Sequence, residues 1–157
     1  VNSYKRINAP VTDSGATWSP NTITYSDNNR THMIRVPGSG RFELRLMDCA
    51  TNPYLLQAGI IAAGIDGIEN NRNPGKPSFL NMYAEAHKAK SAKKLPKNLE
   101  TALSHLSKSK VMNKAFSKET INSYVKLRSL DIKDFKKSKD SKKKGITEWE
   151  KLNTLDC

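Results

Sequence analysis

Three charged residues alternate along one short stretch, Arg41-Phe42-Glu43-Leu44-Arg45-Leu46. In a strand, successive side chains point to opposite faces, so Arg41, Glu43 and Arg45 would share a face at intervals of about 6.5–7 Å. The row reads cation, anion, cation. A carboxylate so placed can hold Mg²⁺, and each flanking guanidinium is a planar fork for phosphate or carboxylate. Phe42, Leu44 and Leu46 take the other face, which is expected to enter a core. Upstream, Arg35 shares a face with Met33 and Thr31, and Arg30 stands where that stretch begins. A hairpin through Pro37-Gly38-Ser39-Gly40 would gather these guanidinium groups on one patch. An ordinary amphipathic strand with lateral salt bridges shows the same alternation, and on the pattern alone that plainer reading is the commoner one.

Other reactive residues are less organised. Gly38-Ser39-Gly40 lacks the length and the Lys of a phosphate loop, which leaves it a turn. His32, His87 and His105 fall at no metal-ligand spacing and are expected to be structural or at the surface. Cys49 and Cys157 make neither a disulfide framework nor a C-x-x-C motif. Asp66 and Glu69, three residues apart near the end of an apolar stretch, are expected to close a helix or meet solvent. Trp18 and Trp149 read as packing residues.

The elements that must position the charged row follow from periodicity. Asn21–Tyr25, Thr31–Val36 and Arg41–Leu46 favour strands. A helix is predicted from Pro53, capped by Asn52, to about Asn70. Its apolar residues, among them Tyr54, Leu55, Ile60, Ile61, Ile65 and Ile68, nearly encircle it, which predicts a buried helix. Asn73-Pro74-Gly75-Lys76-Pro77 ends that unit. Beyond it, Asn98 can cap a helix carrying Leu99, Ala102, Leu103 and Leu106. Ser117 can cap a longer one with Ile121, Tyr124, Val125, Leu127 and Leu130 on one face, and Thr147–Leu152 can form a last turn. The Lys-rich stretches 88–97 and 136–144 read as connectors.

Composition bounds the rest. At 157 residues, 36% hydrophobic and 27% charged, the chain is one domain in length and too apolar for full disorder. The apolar stretch Tyr54–Ile65 is far too short to cross a bilayer, and the N-terminus does not resemble a signal peptide, so a cytoplasmic location without membrane partners is expected. The chain opens at Val1 rather than Met, as a piece of something larger would. The net charge of +12 would ordinarily suggest nucleic acid, and a small basic nucleic-acid-binding domain is the alternative of another class. The cations are segregated, however. Residues 1–75 hold six of the seven Arg and carry a net +1, whereas residues 76–157 hold nineteen of the twenty Lys and carry +11. Arg is the rigid fork of a binding site and Lys the hydrated point charge of a solvated surface.

At this point the residues resemble the glutamine synthetases. Asn2-Ser3-Tyr4-Lys5-Arg6, Asn29-Arg30 with Ile34-Arg35-Val36-Pro37, Arg41-Phe42-Glu43-Leu44-Arg45, Asp48 with Asn52-Pro53-Tyr54-Leu55, and Ala63-Gly64-Ile65-Asp66-Gly67-Ile68 are similar to five family motifs in family order. The resemblance implies an α+β fold, with antiparallel catalytic strands followed by a mainly helical half. Residues 1–157 would be the C-terminal portion of the catalytic domain, with active-site strands and a flap-like loop in 1–47 and helices in 48–157. An N-terminal β-grasp domain and upstream catalytic strands would lie outside it.

The implied activity is ATP-dependent ligation of glutamate and ammonia through γ-glutamyl phosphate, with Mg²⁺ or Mn²⁺ as cofactor and ATP as co-substrate. Residue by residue, the resemblance implies glutamate binding by Arg6, Arg30 and Arg45, with Arg30 also catalytic between glutamate and the γ-phosphate. Arg35 and Arg41 would bind the nucleotide and Glu43 the metal. A homo-oligomeric ring is the implied assembly, and no nucleic acid or membrane is implied as a partner. Two departures matter. Ile7–Trp18 contains no Glu where common bacterial members carry a flap Glu, and Asp13 is its only carboxylate. The run Ser14-Gly15-Ala16-Thr17-Trp18-Ser19-Pro20-Asn21, with Thr31-His32-Met33 and the terminal Thr154-Leu155-Asp156-Cys157, resembles the divergent branch that includes γ-glutamylmethylamide synthetases, so glutamate–methylamine ligation is the alternative activity. Tyr83 falls where adenylylated members carry their modified Tyr, but Ala84-Glu85-Ala86 replaces the accompanying motif, and adenylylation is not expected.

Overall fold

A computed structural model of the chain describes residues 4, 7, 18–143 and 146–154. They divide into two compact units, one from residues 1–49 and 75–97, the other from 50–74 and 98–157.

The first unit is built on a small mixed sheet of strands β1 (Tyr25–Ser26), β2 (Ile34–Gly38) and β3 (Arg41–Leu44), in that order. The turn that Pro37–Gly40 predicted is present. Gly40 has φ +77°, a left-handed conformation in which a side chain would be strained. β2 and β3 are antiparallel, with Ile34 opposite Leu44 and Arg35 opposite Glu43, and the register shifts between Arg35 and Gly38. That irregularity accommodates Pro37, which has no N–H for a regular ladder. β1 instead runs parallel to β2. Most of the predicted strand Asn21–Tyr25 leaves the sheet and pairs with distant chain: the Ile23 amide donates to the Lys93 carbonyl at 2.8 Å and the Leu95 amide to Asn21 at 2.9 Å.

Segment 75–97 is tied to residues 21–32, the stretch that leads into the hairpin. Tyr25 Oη donates to the Gly75 carbonyl at 2.8 Å. Asn29 Nδ2 donates to the Leu80 carbonyl at 3.1 Å, and the Met82 amide donates to Thr31 Oγ1 at 2.9 Å. A short helix, α2 (Met82–Glu85), buries Met82 almost completely and is continued by a 3₁₀ turn, Ala86–Lys88. The Trp18 ring packs on Tyr83 with centroids 5.2 Å apart. His32 is fully buried. Its Nε2 lies 2.9 Å from the Leu80 carbonyl and its Nδ1 2.9 Å from Thr24 Oγ1. A carbonyl only accepts, so Nε2 carries the proton and Nδ1 accepts from the Thr24 hydroxyl. The structural role expected for His32 is thus observed.

The second unit is helical. Helix α1 (Pro53–Glu69) starts where predicted, with Asn52 Oδ1 accepting from the Tyr54 and Leu55 amides. The expected burial is not found. No residue of α1 is buried, and Tyr54, Ile61, Ile65 and Ile68 are exposed. The physical reason is geometric: the apolar residues encircle α1, whereas among the described helices it packs on α4 (Lys110–Phe116), which covers one stripe. Phe42, expected in a core, is likewise 60% exposed. A strand face is buried only by a second layer, and the described contacts of β3 are lateral ones with β2.

Helices α3 (Leu99–Lys108) and α5 (Lys118–Lys137) pack on each other, burying Leu103 and Ile121. Their predicted caps are in place, Asn98 accepting from the Thr101 amide at 2.8 Å and Ser117 from the Thr120 amide at 3.3 Å. Of the apolar face expected on α5, Leu127 and Leu130 remain about half exposed. Helix α4 was not legible in the pattern. Ser109 caps it through the Met112 amide at 3.2 Å. The last helix, α6 (Glu148–Thr154), opens on a reciprocal cap in which Thr147 Oγ1 and the Glu150 carboxylate each accept from the other's amide. Its Trp149 meets Phe135 edge-on, with centroids 5.3 Å apart. No helix among the described residues is long and apolar enough to cross a membrane.

Burial disfavours the charged form of His32 and lowers its pKa below the ordinary 6.5, against smaller opposing effects of the Leu80 bond and Asp27. The folded state therefore binds this proton more weakly than the unfolded chain. The stability contributed by the neutral ring is complete above about pH 6.5 and is lost as pH falls through the depressed folded value. The unfolding temperature is expected to drop as pH falls below about 6.5. His32→Gln, which never titrates, should flatten that slope while costing about 1–3 kcal/mol from imperfectly replaced buried hydrogen bonds. An equally steep slope in the variant would remove His32 as its source.

Candidate active site on the hairpin

The hairpin register places Arg35 directly opposite Glu43. Arg45 follows Glu43 by two residues, where the Arg45 amide extends the ladder to the Met33 carbonyl at 2.9 Å. One carboxylate oxygen receives both cations: Glu43 Oε2 lies 3.0 Å from Arg35 Nη1 and 3.1 Å from Arg45 Nη1. Hydrogen bonds from Arg35 and then Arg45 hold the Glu43 carboxyl below the usual carboxylate range, outweighing the contrary effect of desolvation. Glu43 is therefore ionised at neutral pH. Its second oxygen, Oε1, has no partner among the described residues, and Arg45 Nε is buried and likewise unpartnered. A free acceptor and a free donor thus remain beside a satisfied ion-pair triad.

Arg35 is only 16% exposed at its side chain. Its other edge is occupied by Asn28, whose Oδ1 accepts from Nε at 2.9 Å and also from Nη2. Arg30 and Arg41 are exposed and have no ion pair among the described residues. The turn that carries Arg30 is fixed on both sides. Asn29 Oδ1 accepts from the Thr31 amide at 3.0 Å and from the Thr31 hydroxyl at 2.7 Å, while Asn29, Thr31 and His32 all reach segment 80–82. The structure thus joins Arg35, Glu43 and Arg45 into one triad and leaves Arg30 and Arg41 as unpaired cations on the same hairpin unit. Arg6 and Asp13 lie outside the described residues. Asn28 was missed in the sequence, where nothing about its spacing to Arg35 distinguishes it from an ordinary turn residue.

No group of three or more His, Cys, Asp or Glu side chains gathers among the described residues. Glu43 with its open Oε1 fits a divalent cation as one ligand. Mg²⁺ takes about six oxygens, so waters, phosphate oxygens and other residues would complete its shell. Asp66, weighed above as a possible reactive group, is engaged structurally: Arg72 and Asn70 Nδ2 both bond its carboxylate at the end of α1. The Tyr83 hydroxyl is buried without a partner, a poor posture for a modification acceptor.

The lysines behave differently from the arginines. Lys88, Lys143 and Lys151 pair with Glu85, Asp140 and Glu148 three residues away, local pairs with each lysine side chain at least half exposed. No observation gathers them into a patch with aromatic side chains, and the nucleic-acid alternative gains no support.

The family model described as glutamine synthetase, catalytic domain, matches residues 1–150. A glutamine synthetase of Rhizobium leguminosarum bv. phaseoli is 52% identical over 99% of this chain and 34% of its own length. A glutamate–methylamine ligase of Methyloversatilis universalis is 39% identical over 99% of this chain and 34% of its own length. Among solved structures, a GmaS/ADP complex superposes with a TM-score of 0.80 at 49% identity, covering 100% of this chain and 34% of that one. The chain therefore spans about a third of the length of the relatives it matches. With a match along nearly all of its residues and a charged hairpin of the expected composition, the chain belongs to the glutamine synthetase catalytic-domain family.

Proposed function

We propose that this chain is the C-terminal portion of the catalytic domain of an ATP-dependent ligase that joins glutamate to ammonia through γ-glutamyl phosphate. The observation that carries the reading is the triad on the hairpin, in which Glu43 is held ionised by Arg35 and Arg45 while its Oε1 stays open. Transfer of a phosphoryl group to a carboxylate builds negative charge on the equatorial oxygens, and catalysis rests on positioning and on cations aimed at that charge. Arg35 and Arg41 bind the nucleotide phosphates in this reading. Arg30 bridges the γ-phosphate and glutamate, and Arg45, with its unpartnered Nε, holds glutamate together with Arg6. A divalent cation at Glu43, Mg²⁺ or Mn²⁺, would supply Lewis-acid stabilisation of the transferring group. The full-length protein would form a homo-oligomeric ring and work in the cytoplasm.

Glutamate–methylamine ligation is the second reading. It is supported by the relative above that carries that name and by the absence of Glu from residues 7–18. Full-length protein assayed with glutamate and ATP, and with ammonia or methylamine in parallel, separates the two through the ratio of kcat/KM values. Turnover with neither amine would overturn both.

Glu43→Gln in the full-length protein keeps the shape of the side chain but removes the charge that the two arginines and a metal require. Turnover is expected to fall by at least about 10²-fold, with the circular dichroism spectrum unchanged. Wild-type-like activity at low Mg²⁺ would refute the role. Residues 1–157 by themselves supply one carboxylate ligand among the described residues, so the isolated chain is expected to bind ATP poorly and to release no phosphate in response to glutamate. A glutamate-dependent phosphate burst from the purified chain would count against that expectation.

A further inference from the structure

Arg35 is placed by two contacts of different character. Opposite it across the hairpin, Glu43 Oε2 accepts from Nη1 at 3.0 Å. On its other side, Asn28 Oδ1 accepts from Nε at 2.9 Å and from Nη2. A guanidinium has five N–H donors and no acceptor, so the amide of Asn28 must face it with its oxygen. Three of the five donors are thereby used. Among the described residues the other two, one on each Nη, remain available.

The Nε and Nη2 edge is the one a carboxylate would ordinarily take in a two-point bond. Here a neutral amide takes it. Asn28 therefore fixes the plane of the guanidinium without cancelling its charge, which stays available to Glu43 and to an anion at the free Nη donors. The angular control matters because Arg35 is itself one of the two groups that hold Glu43 Oε2. If the guanidinium swings, Oε2 loses a donor, the carboxylate rotates, and the direction in which Oε1 points is no longer set.

We propose that Asn28 is a positioning residue of the site: by holding one edge of Arg35 with an uncharged acceptor, it aims both the remaining Arg35 donors at a nucleotide phosphate and the open oxygen of Glu43 at a divalent cation. This rests on the ligase reading for the identity of the anion and the metal, and goes beyond it in assigning the residue that orients them. Asn28 touches neither substrate nor metal, and acts through Arg35.

The test uses full-length protein in three forms: wild type, Asn28→Ala, which removes the acceptor, and Asn28→Asp, which keeps it. Mn²⁺ binding is read by electron paramagnetic resonance in the absence of turnover, alongside the KM for ATP, kcat and the unfolding temperature. Removing an outer partner of a metal ligand typically weakens metal binding by about 10–100-fold. Asn28→Ala is accordingly expected to raise the Mn²⁺ dissociation constant about tenfold, and the KM for ATP more than it lowers kcat, with the unfolding temperature unmoved. Asn28→Asp should restore Mn²⁺ binding to within about twofold of wild type. Unchanged Mn²⁺ and ATP constants in Asn28→Ala would overturn the proposal. So would equal losses of Mn²⁺ affinity in the two variants, or a loss that tracks a lower unfolding temperature. Wild-type protein that binds Mn²⁺ yet amidates no glutamate would instead remove the ligase reading, leaving the effect of Asn28 on metal binding to be judged by resonance alone. Absence of Mn²⁺ binding in the wild type would overturn both.

Discussion

A single carboxylate oxygen shared by two guanidinium groups sets the geometry of the hairpin. Glu43 Oε2 takes Arg35 from the neighbouring strand and Arg45 from just past the end of its own. The triad carries a net positive charge, and the unpaired Arg30 and Arg41 add to it. An arrangement of this kind is stable only where like charges are kept apart by an anion between them, and it attracts a further anion of high charge. It also depends on register. Side-chain direction alternates along a strand, so a slip of one residue between β2 and β3 would send Arg35 and Glu43 to opposite faces. The turn at Gly38–Gly40 and the irregularity at Pro37 are what prevent the slip.

The parts of the fold legible in the sequence are those decided locally. Asn52, Asn98 and Ser117 cap helices because short polar side chains can accept from amides two or three residues on, wherever the helix then packs. The hairpin was legible from its period of two and its Gly-containing turn. Burial was not. Apolar residues show what α1 and β3 could bury, but a side chain is buried only by a second element, and Tyr54 and Phe42 remain exposed. Helix α4 has seven residues and too little period to detect. The parallel pairing of β1 and the bridge from Thr22 to Lys94 join residues far apart in sequence, which no local pattern encodes. The candidate site divides in the same way. Arg35, Glu43 and Arg45 were found through strand alternation, whereas Asn28 acts from a turn seven residues before Arg35 and leaves no periodic trace.

The segregation of Arg from Lys has a structural counterpart. The Arg35 and Arg45 pairs converge on one carboxylate in or beside the sheet, with side chains 16% and 23% exposed. The Lys pairs on the helical half are mostly between neighbours three residues apart, with lysine side chains at least half exposed. A planar fork with five donors can be held at two edges at once, and Arg35 is so held. An ammonium on a flexible stem cannot be oriented in that way. The two cation types therefore mark two tasks, and net charge alone, which counts them equally, points toward nucleic acid and away from the site.

A three-stranded sheet with strands of two, five and four residues is too small to keep a site rigid by its own ladder. What holds it is segment 75–97, some fifty residues away in sequence. Two donors, Asn29 Nδ2 and His32 Nε2, converge on the one carbonyl of Leu80. Thr31 accepts from the Met82 amide, and Tyr25 accepts from the Ser78 amide. Arg30 lies between Asn29 and Thr31, so its backbone is fixed from both sides although its side chain is free to meet a ligand. The buried contacts of this unit are accordingly polar more than apolar, with His32 and Ser26 as enclosed as Met82. Hydrogen bonds are directional where apolar contacts are not, so a polar core fixes orientation as well as proximity. Precision in the charged row is thus supplied from outside it, through the directional bonds of Asn29, Thr31 and His32 to segment 80–82.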